Sequence, residues 1–289
     1  MNVSETKKLL KTYRVRPNKL RGQSFLVNPS AAQKIIAAAR ISSQETVLEI
    51  GSGLGALTRG LLEKAHLVIA VEIDARLCTI LRDRLGGHPG LELLNEDFLE
   101  LDLTARAEKA GAAGLRVVGN LPYHITGLAV RKILDHMPRL HGAVVTVQRE
   151  VADRMVALPG SKSFGALSVA AQYHSCPQPL FRLSRECFYP RPQVTSTVVA
   201  LEPRNQPPTQ VNDEYLFFTV VRALFGHRRK TVRNALRAAP HLRMSAEMLD
   251  EISRKTGLNL SRRGETMTLT ELGRLSNALG ESRHGETGN

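Results

Sequence analysis

Cysteine is scarce in this chain, and long hydrophobic runs are absent. The three cysteines, Cys78, Cys176 and Cys187, are an odd number without C-x-x-C spacing, which argues against a disulfide framework and a zinc knuckle. No apolar run approaches the ~20 residues that a membrane span needs. The N-terminal stretch also lacks the apolar core of a signal peptide. We therefore expect a cytoplasmic protein with reduced thiols, without a bound metal and without a membrane partner.

Acidic residues are also in short supply. The 289 residues include 27 Asp and Glu against 40 Lys and Arg, which gives a formal net charge of +13. A surplus of this size favours an anionic partner such as nucleic acid or a ribonucleoprotein, with general solubility as the alternative explanation. The positive charge is concentrated in the N-terminal arm from Lys7 to Arg21 and in residues 227–237, whereas residues 45–105 are nearly balanced.

Short β-rich runs alternate with helical stretches between residues 46 and 148. The runs have the sequences TVLEI, HLVIAVEI, LELLNEDF, RVVGNLPY and AVVTVQ. Alternation at this spacing predicts βαβ units and a mostly parallel sheet, and therefore an α/β fold.

A boundary follows at residues 202–213, where EPRNQPPTQVND has prolines and polar residues but no periodic pattern. Beyond it, four amphipathic segments predict helices. The chain is therefore predicted to consist of an α/β domain at residues 1–205, including the basic arm, and a smaller helical domain at residues 206–289.

A glycine-rich turn, EIGSGLGALT at residues 49–58, lies between the first predicted strand and its helix. Glycines at this place allow the backbone to approach a ligand at the helix N-terminus. The turn also satisfies G-x-G-x-x-A, and Glu72 follows Gly51 by 21 residues, where an acid can bind ribose hydroxyls. A dinucleotide-binding Rossmann domain is therefore one alternative, and a tight turn without a ligand is another.

Three features favour S-adenosylmethionine over NAD as the nucleotide. Glu49 ends the first strand, where a carboxylate suits an ammonium group and a sulfonium but repels a pyrophosphate. Asp97 follows the third strand and can accept a hydrogen bond from an adenine amine, although a lone aspartate there is more often a helix cap. The fourth strand ends in the tetrapeptide NLPY at residues 120–123.

The tetrapeptide NLPY has its own chemical meaning. Pro122 continues neither a strand ladder nor a helix interior, so Asn120 and Tyr123 are predicted on a stiff turn at the sheet edge where ligands bind. The tetrapeptide then presents a side-chain amide and an aromatic ring at that edge. A plain strand-to-helix turn is the alternative interpretation.

These motifs, together with GQSFL at residues 22–26, FYPRPQVTSTVV at 188–199 and FGHRRKTVRNAL at 225–236, resemble one family over nearly the whole chain. It is the small-subunit ribosomal RNA adenine dimethyltransferase family (KsgA/RsmA). The resemblance implies a Rossmann-like S-adenosylmethionine-dependent methyltransferase domain with an added strand hairpin and a smaller helical C-terminal domain. It also implies N6-dimethylation of two adjacent adenosines in a hairpin loop near the 3′ end of 16S rRNA during small-subunit biogenesis, and we expect a monomer.

The motifs and the resemblance together predict three sets of site residues. The catalytic set is Asn120, Leu121, Pro122, Tyr123 and Phe188. With adenine as the target that the resemblance implies, Asn120 and the Leu121 carbonyl can accept the two N–H bonds of its exocyclic amine, and Tyr123 offers a stacking face worth roughly 1–3 kcal/mol. The cofactor-binding set is Ser24, Leu26, Glu49, Gly51, Gly53, Glu72, Ile73, Asp97, Phe98 and Asn120. The RNA-binding set is Arg228, Arg229, Lys230, Arg233 and Arg237. Family members commonly have asparagine at the position of Ser24, and Phe188 is on local sequence equally well explained as a core aromatic residue.

The spacing of Arg229, Arg233 and Arg237 predicts one stripe along a helix. Three other functions stay open. A large-subunit rRNA adenine N6-methyltransferase conferring antibiotic resistance is disfavoured by FYPRPQVTS and RRKTVRN. A non-catalytic RNA-binding assembly factor is disfavoured by the intact glycine turn and NLPY. An NAD-dependent dehydrogenase is disfavoured by Glu49 and by the lack of a hydride-transfer constellation.

Overall fold

The computed structural model describes residues 1–18, 22–227, 229–242 and 244–286. They divide into two compact units: a first unit within residues 1–152 and 174–204, and a second unit within residues 153–173 and 205–286. The domains predicted from the sequence differ from this division at residues 153–173, which cluster with the C-terminal helices and interrupt the first unit. The turn residues of LPGSKSFG at 158–165 do not by themselves indicate that this segment leaves the first unit.

The strands of the described residues are β1 (Phe25–Leu26), β2 (Thr46–Ile50), β3 (Leu67–Val71), β4 (Leu91–Leu94), β5 (Leu115–Asn120), β6 (Gly142–Gln148), β7 (Ser175–Leu183), β8 (Phe188–Tyr189) and β9 (Ser196–Pro203). Seven of them form one sheet in the order β4-β3-β2-β5-β6-β9-β7, parallel from β4 to β6 and antiparallel at β9 and β7. A separate antiparallel pair joins β1 to β8. The predicted α/β class and mostly parallel sheet are confirmed.

The helices of the described residues are α1 (Val3–Thr12), α2 (Pro29–Ala38), α3 (Thr58–Leu62), α4 (Ala75–Leu85), α5 (Leu103–Ala110), α6 (Thr126–Asp135), α7 (Arg149–Met155), α8 (Ala166–His174), α9 (Glu214–Gly226), α10 (Val232–Arg237), α11 (Ala246–Thr256) and α12 (Leu269–Glu286). Several begin at side-chain caps: the oxygens of Asn28, Asp74 and Asp213 accept backbone N–H bonds at the starts of α2, α4 and α9. None of these helices, within the part of the chain described, is long and apolar enough to span a membrane.

The central strands are buried on both sides, as expected for a parallel sheet covered by helices. Val47, Leu48, Val117 and Val118 have no exposed surface. Gly119 is required where β5 lies against β2, because a Cβ built there would be 2.8 Å from the Ile50 carbonyl oxygen. This close approach brings the carboxyl ends of β2 and β5 together, and those ends carry the glycine turn and NLPY.

Candidate active site

The carboxyl ends of β2, β3 and β5 and the short strand β1 surround one cleft in the first unit. The predicted site residues that line it are Ser24, Leu26, Glu49, Gly51, Gly53, Glu72, Ile73, Asn120, Leu121, Pro122 and Tyr123. An adjoining recess is lined by Asp97 and Phe98 and shares Gly51, Glu72, Ile73 and Pro122 with the cleft. The structure therefore gathers every predicted cofactor and catalytic residue at one sheet edge, with the exception of Phe188.

The glycine turn is held open by its backbone conformation. Gly51 and Gly53 have φ values of +68° and +55°, in the left-handed region that favours glycine. The N–H groups of Gly51 and Ser52 donate to the carbonyl oxygen of Val71 at 2.9 and 3.2 Å, which ties the turn to the end of β3. A Cβ on Gly51 would lie 3.5 Å from the Pro122 ring, so the turn and NLPY lie next to each other.

Glu72 is fixed by two backbone donors at the end of β3. Its Oε2 accepts the Gly53 N–H and its Oε1 accepts the Asp74 N–H, both at 2.9 Å. Burial raises the pKa of this carboxyl group, and the two backbone hydrogen bonds oppose the rise. Each carboxylate oxygen keeps a further lone pair, so Glu72 can accept hydrogen bonds from a pair of ribose hydroxyls in the cleft.

Glu49 is a buried carboxyl group with an unsatisfied oxygen. Its side chain lines the cleft, the residue is 2% exposed, and Oε2 has no hydrogen-bond partner among the described residues. Burial raises the pKa of Glu49 to about 8; the neighbouring Thr58 opposes the rise, and the charge of Glu72 adds to it. A buried acceptor without a donor is costly, so a ligand that brings a cationic donor to this oxygen is favoured.

The recess beside the cleft is built for a flat, largely apolar group with a polar edge. Ile73 is 48% exposed although apolar, and Phe98 is buried beside it. Asp97 Oδ1 accepts the Leu99 N–H at 2.9 Å, which orients the carboxylate. Adenine has this combination of an apolar face and an amine edge, and the recess therefore suits it.

Lys132 stabilises the turn at residues 97–101, although the sequence analysis did not identify it. From α6, its Nζ donates to the carbonyl oxygens of Leu99 and Leu101 at 2.7 and 2.5 Å and lies 5.3 Å from the centroid of the Phe98 ring. Burial lowers the pKa of Lys132, and nearby carboxylates oppose the shift. No local pattern links this lysine to a turn more than 30 residues earlier, so only the fold could identify it.

The Asn120 amide has a defined orientation. Nδ2 donates to the Ser24 carbonyl oxygen at 3.0 Å, which leaves Oδ1 as a buried acceptor without a partner among the described residues. The Leu121 N–H donates to Thr146 O at 3.1 Å, and Thr126 Oγ1 donates to Pro122 O at 3.0 Å. These bonds hold the turn on both sides, so Asn120 presents an oxygen to a donor in the cleft.

Tyr123 is half-buried and fixed at its hydroxyl group. The hydroxyl forms a 2.9 Å hydrogen bond with Ser196 Oγ at the start of β9. Burial raises the pKa of the phenol. Ser196 belongs to the FYPRPQVTSTVV segment, but nothing in that segment alone indicates a contact with a tyrosine 73 residues earlier. The bond restricts the ring and leaves it on the cleft wall.

Two predicted residues are placed differently from their expected roles. The Ser24 hydroxyl donates to the Pro190 carbonyl oxygen at 2.8 Å, so it is used within the protein, and the Ser24 backbone carbonyl positions Asn120 instead. Phe188 is fully buried and packs in the core with Leu26, because its pairing with that residue turns both side chains inward. The structure therefore does not bring the Phe188 ring to the cleft surface.

The predicted basic stripe is wrong at Arg229. Thr231 caps α10 by accepting the Asn234 N–H, so the helix begins at Val232 and Arg229 precedes it. Within the helix, Arg233 forms a salt bridge with Asp250. Arg229, Lys230 and Arg237 are exposed, and Arg228 lies outside the described residues.

Comparisons with known proteins agree with this geometry. Residues 15–273 match the model of the family described as ribosomal RNA adenine dimethylase. Ribosomal RNA small subunit methyltransferase A of Alkaliphilus oremlandii (strain OhILAs) is 39% identical over 95% of this chain and 96% of its own. The protein of the same name from Geobacillus kaustophilus (strain HTA426) is 40% identical over 95% and 94%.

Two solved structures resemble the fold. A dimethyladenosine transferase from Plasmodium falciparum has a TM-score of 0.71 at 25% identity, covering 90% of this chain and 98% of its own. The 23S rRNA methyltransferase ErmE has a TM-score of 0.64 at 25% identity, covering 89% and 99%. The predicted Rossmann-like methyltransferase fold is confirmed.

Proposed function

This chain belongs to the ribosomal RNA adenine dimethylase family, and we propose that it dimethylates N6 of two adjacent adenosines in small-subunit rRNA with S-adenosylmethionine as the methyl donor. The observation that carries the proposal is Asn120 Oδ1, a buried acceptor oriented by Ser24 and placed beside the glycine turn. The relatives named as small-subunit methyltransferases support the small subunit over the large one.

The residues of the cleft fit S-adenosylmethionine. Glu49 Oε2 needs a donor, which suits the ammonium group of the methionine moiety. Glu72 has the remaining acceptor capacity for the ribose hydroxyls. Asp97 can accept from the adenine amine between the apolar surfaces of Ile73 and Phe98. When bound, the cofactor supplies an activated methyl group on a sulfonium.

The protein groups act mainly by positioning the target amine. That nitrogen is a poor nucleophile because its lone pair is delocalised into the ring. Asn120 Oδ1 can accept one N–H, and the Leu121 carbonyl oxygen the other, which favours a tetrahedral, electron-rich nitrogen. The Tyr123 ring, fixed through Ser196, offers a stacking face for a base that has left its helix. A general base is not required, because the amine loses its proton after it becomes cationic.

A thermal-shift measurement tests the cofactor. S-adenosylmethionine and its demethylated product should raise the melting temperature, by an amount equivalent to ~2.7 kcal/mol at one hundred times Kd, whereas NAD should not. Stabilisation by NAD alone would support the dehydrogenase alternative.

Methyl transfer tests the substrate. The protein is incubated with undermethylated small subunits and labelled S-adenosylmethionine, and the modified nucleotides are mapped. Two adjacent dimethyladenosines are expected. Label only on large-subunit RNA would support the resistance-methyltransferase alternative. RNA binding without label would support a non-catalytic assembly factor.

A further inference from the structure

The N-terminal helix forms a basic groove that the active site described above does not include. Residues 1–18 contain five basic side chains against one carboxylate, Glu5. The groove is lined by Leu10, Val15, Pro17 and Tyr189, and by the exposed cations Lys7, Lys11, Arg14 and Arg16. The sequence interpretation noted charge in this arm but predicted neither helix α1 nor a groove.

The charge of this groove is not neutralised within the described residues. Lys7, Lys11, Arg14 and Arg16 form no salt bridge there, and Lys7 Nζ lies 5.3 Å from the centroid of the Tyr189 ring. The nearby carboxylates are engaged elsewhere, since Glu5 closes a capping box with Asn2 and Asp83 accepts the Tyr13 hydroxyl at 2.9 Å. A cluster of like charges with free donors is suited to a polyanion.

Arg14 lies where the backbone favours glycine. Helix α1 ends with the Val15 N–H donating to Leu10 O at 2.8 Å and the Arg14 N–H donating to Lys11 O at 3.2 Å. This ending puts Arg14 at φ +52°, and glycine is the usual residue at such a position. A left-handed non-glycine residue costs roughly 1–2 kcal/mol. Folding alone therefore favours a glycine here, so Arg14→Gly removes the cation without a loss of backbone stability.

The groove and the cleft share a wall. Tyr189 of β8 pairs with Phe25 of β1, and Phe25 lines the cleft beside the glycine turn. The buried face of α1 extends this wall, because Leu10 and Val15 pack in one cluster with Phe25, and Tyr189 packs against the same cluster. A strand that delivers an adenosine to Asn120 can therefore continue along α1.

We propose that this groove binds the phosphate backbone of the RNA that flanks the target adenosine. Lys7 and Lys11 are one helical turn apart, about 6 Å along the axis, and present two cations on one face. Arg14 and Arg16 extend the row beyond the helix. The proposal rests on the proposed function, in which an RNA strand enters the cleft. RNA is favoured over an acidic protein as the occupant because the groove continues from the site that receives the base.

A matched pair of glycine substitutions tests the proposal. Arg40 is also exposed, follows the end of α2 at φ +48°, and borders a different surface with Glu63 and Lys64. Arg14→Gly and Arg40→Gly each remove one cation and relieve the same backbone conformation, so both variants should keep or raise the melting temperature. The probe is a fluorescein-labelled RNA hairpin with two adjacent loop adenosines and single-stranded flanks, and Kd is measured by anisotropy at several salt concentrations.

Arg14→Gly should weaken hairpin binding about fivefold at ~0.1 M salt and lower the log–log salt slope by roughly 0.7, the value for one lost single-strand phosphate contact. Arg40→Gly should leave both unchanged. The combined variant Lys7→Gln, Lys11→Gln, Arg14→Gly should lower the slope by roughly 2. Melting shifts by S-adenosylmethionine should be unchanged, which shows that the cofactor site is intact.

Equal effects of Arg14→Gly and Arg40→Gly would assign the result to net charge and overturn the proposal. Unchanged hairpin binding with weakened binding to whole small subunits would assign the groove to a part of the subunit away from the target hairpin and also overturn the proposal. A wild-type protein that binds the hairpin but transfers no methyl group to small subunits would contradict the proposed function. The comparison of Arg14→Gly with Arg40→Gly would still show whether the groove binds RNA.

Discussion

The cleft of the first unit and the basic helix α10 of the second unit were both predicted as functional, and they are built in opposite ways. In the cleft, Glu72 is fixed by two backbone donors, and two buried oxygens, Glu49 Oε2 and Asn120 Oδ1, have no partner among the described residues. At α10 the basic groups are on the surface, and Arg233 is already paired with Asp250. Buried polar groups that lack partners point to a ligand, whereas exposed charges do so only when no neighbour neutralises them.

The difference has a physical cause. Short motifs at strand ends are placed by the sheet, so their relative positions follow from β-pairing and a tight turn. Long arginine side chains on a surface are placed by whatever carboxylates the fold brings near them, and those come from distant sequence. Spacing arguments are therefore more reliable in the cleft than along α10.

The largest expected effect in the cleft is on catalysis. Asn120→Ala removes the oriented acceptor, and methyl transfer should fall about 10²–10³-fold, the usual loss for one preorganised group at a reacting centre. Cofactor affinity, measured by calorimetry, should change only a few-fold, although Asn120 also borders the cofactor side of the cleft. A loss of cofactor affinity as large as the loss of rate would place Asn120 on the cofactor and not on the target amine.

Asp97→Ala should show the reverse behaviour. Its carboxylate is oriented by the Leu99 N–H toward the recess, and removal of a charged hydrogen-bond acceptor should weaken cofactor binding roughly 10–100-fold. At saturating cofactor, the rate should stay near that of the wild type. Asp102→Ala is the matched control, since this exposed aspartate caps α5 by accepting the Ala105 N–H and does not line the recess. A rate loss at saturation would contradict the assignment of Asp97 to binding.

Glu49→Gln should have opposite effects on the stability of the free protein and on its affinity for S-adenosylmethionine. Burial raises the pKa of Glu49 to about 8, above the ordinary value of 4.5, so in this window the folded protein holds a proton that the unfolded chain has lost. Stability therefore falls as the pH rises from about 4.5 to about 8. Glutamine removes this penalty and should raise the melting temperature more at pH 8 than at pH 5.

The same variant should bind S-adenosylmethionine about tenfold more weakly, because the ammonium group loses its counter-charge. The melting curves are measured without ligand, and calorimetry supplies the affinities. A melting temperature that is equally affected at both pH values would mean that Glu49 does not titrate in this window.

The sequence was sufficient to predict which motifs lie at the sheet edge, but not which residues hold those motifs in place. The NLPY turn and the glycine loop could be placed because β-rich runs and breakers define where strands end. Ser196 and Lys132, which fix Tyr123 and the turn after Asp97, could not be found, since their partners are 73 and about 31–33 residues away. Phe188 could not be decided from local sequence, because its pairing with Leu26 determines that it faces the core.

The smallest expected effects are at α10, where the comparison between paired and unpaired charges can be tested directly. Arg229 and Arg237 are exposed, whereas Arg233 is paired with Asp250. If the exposed cations contact phosphate, Arg229→Ala with Arg237→Ala should lower the log–log salt slope of small-subunit binding by roughly two units. Arg233→Ala, the control, should leave the slope unchanged and alter stability by at most ~1 kcal/mol. If Arg233→Ala, and not the double variant, lowers the salt slope of small-subunit binding, Arg233 must exchange Asp250 for an RNA phosphate on binding. The salt bridges of the free protein would then not predict which arginines bind RNA.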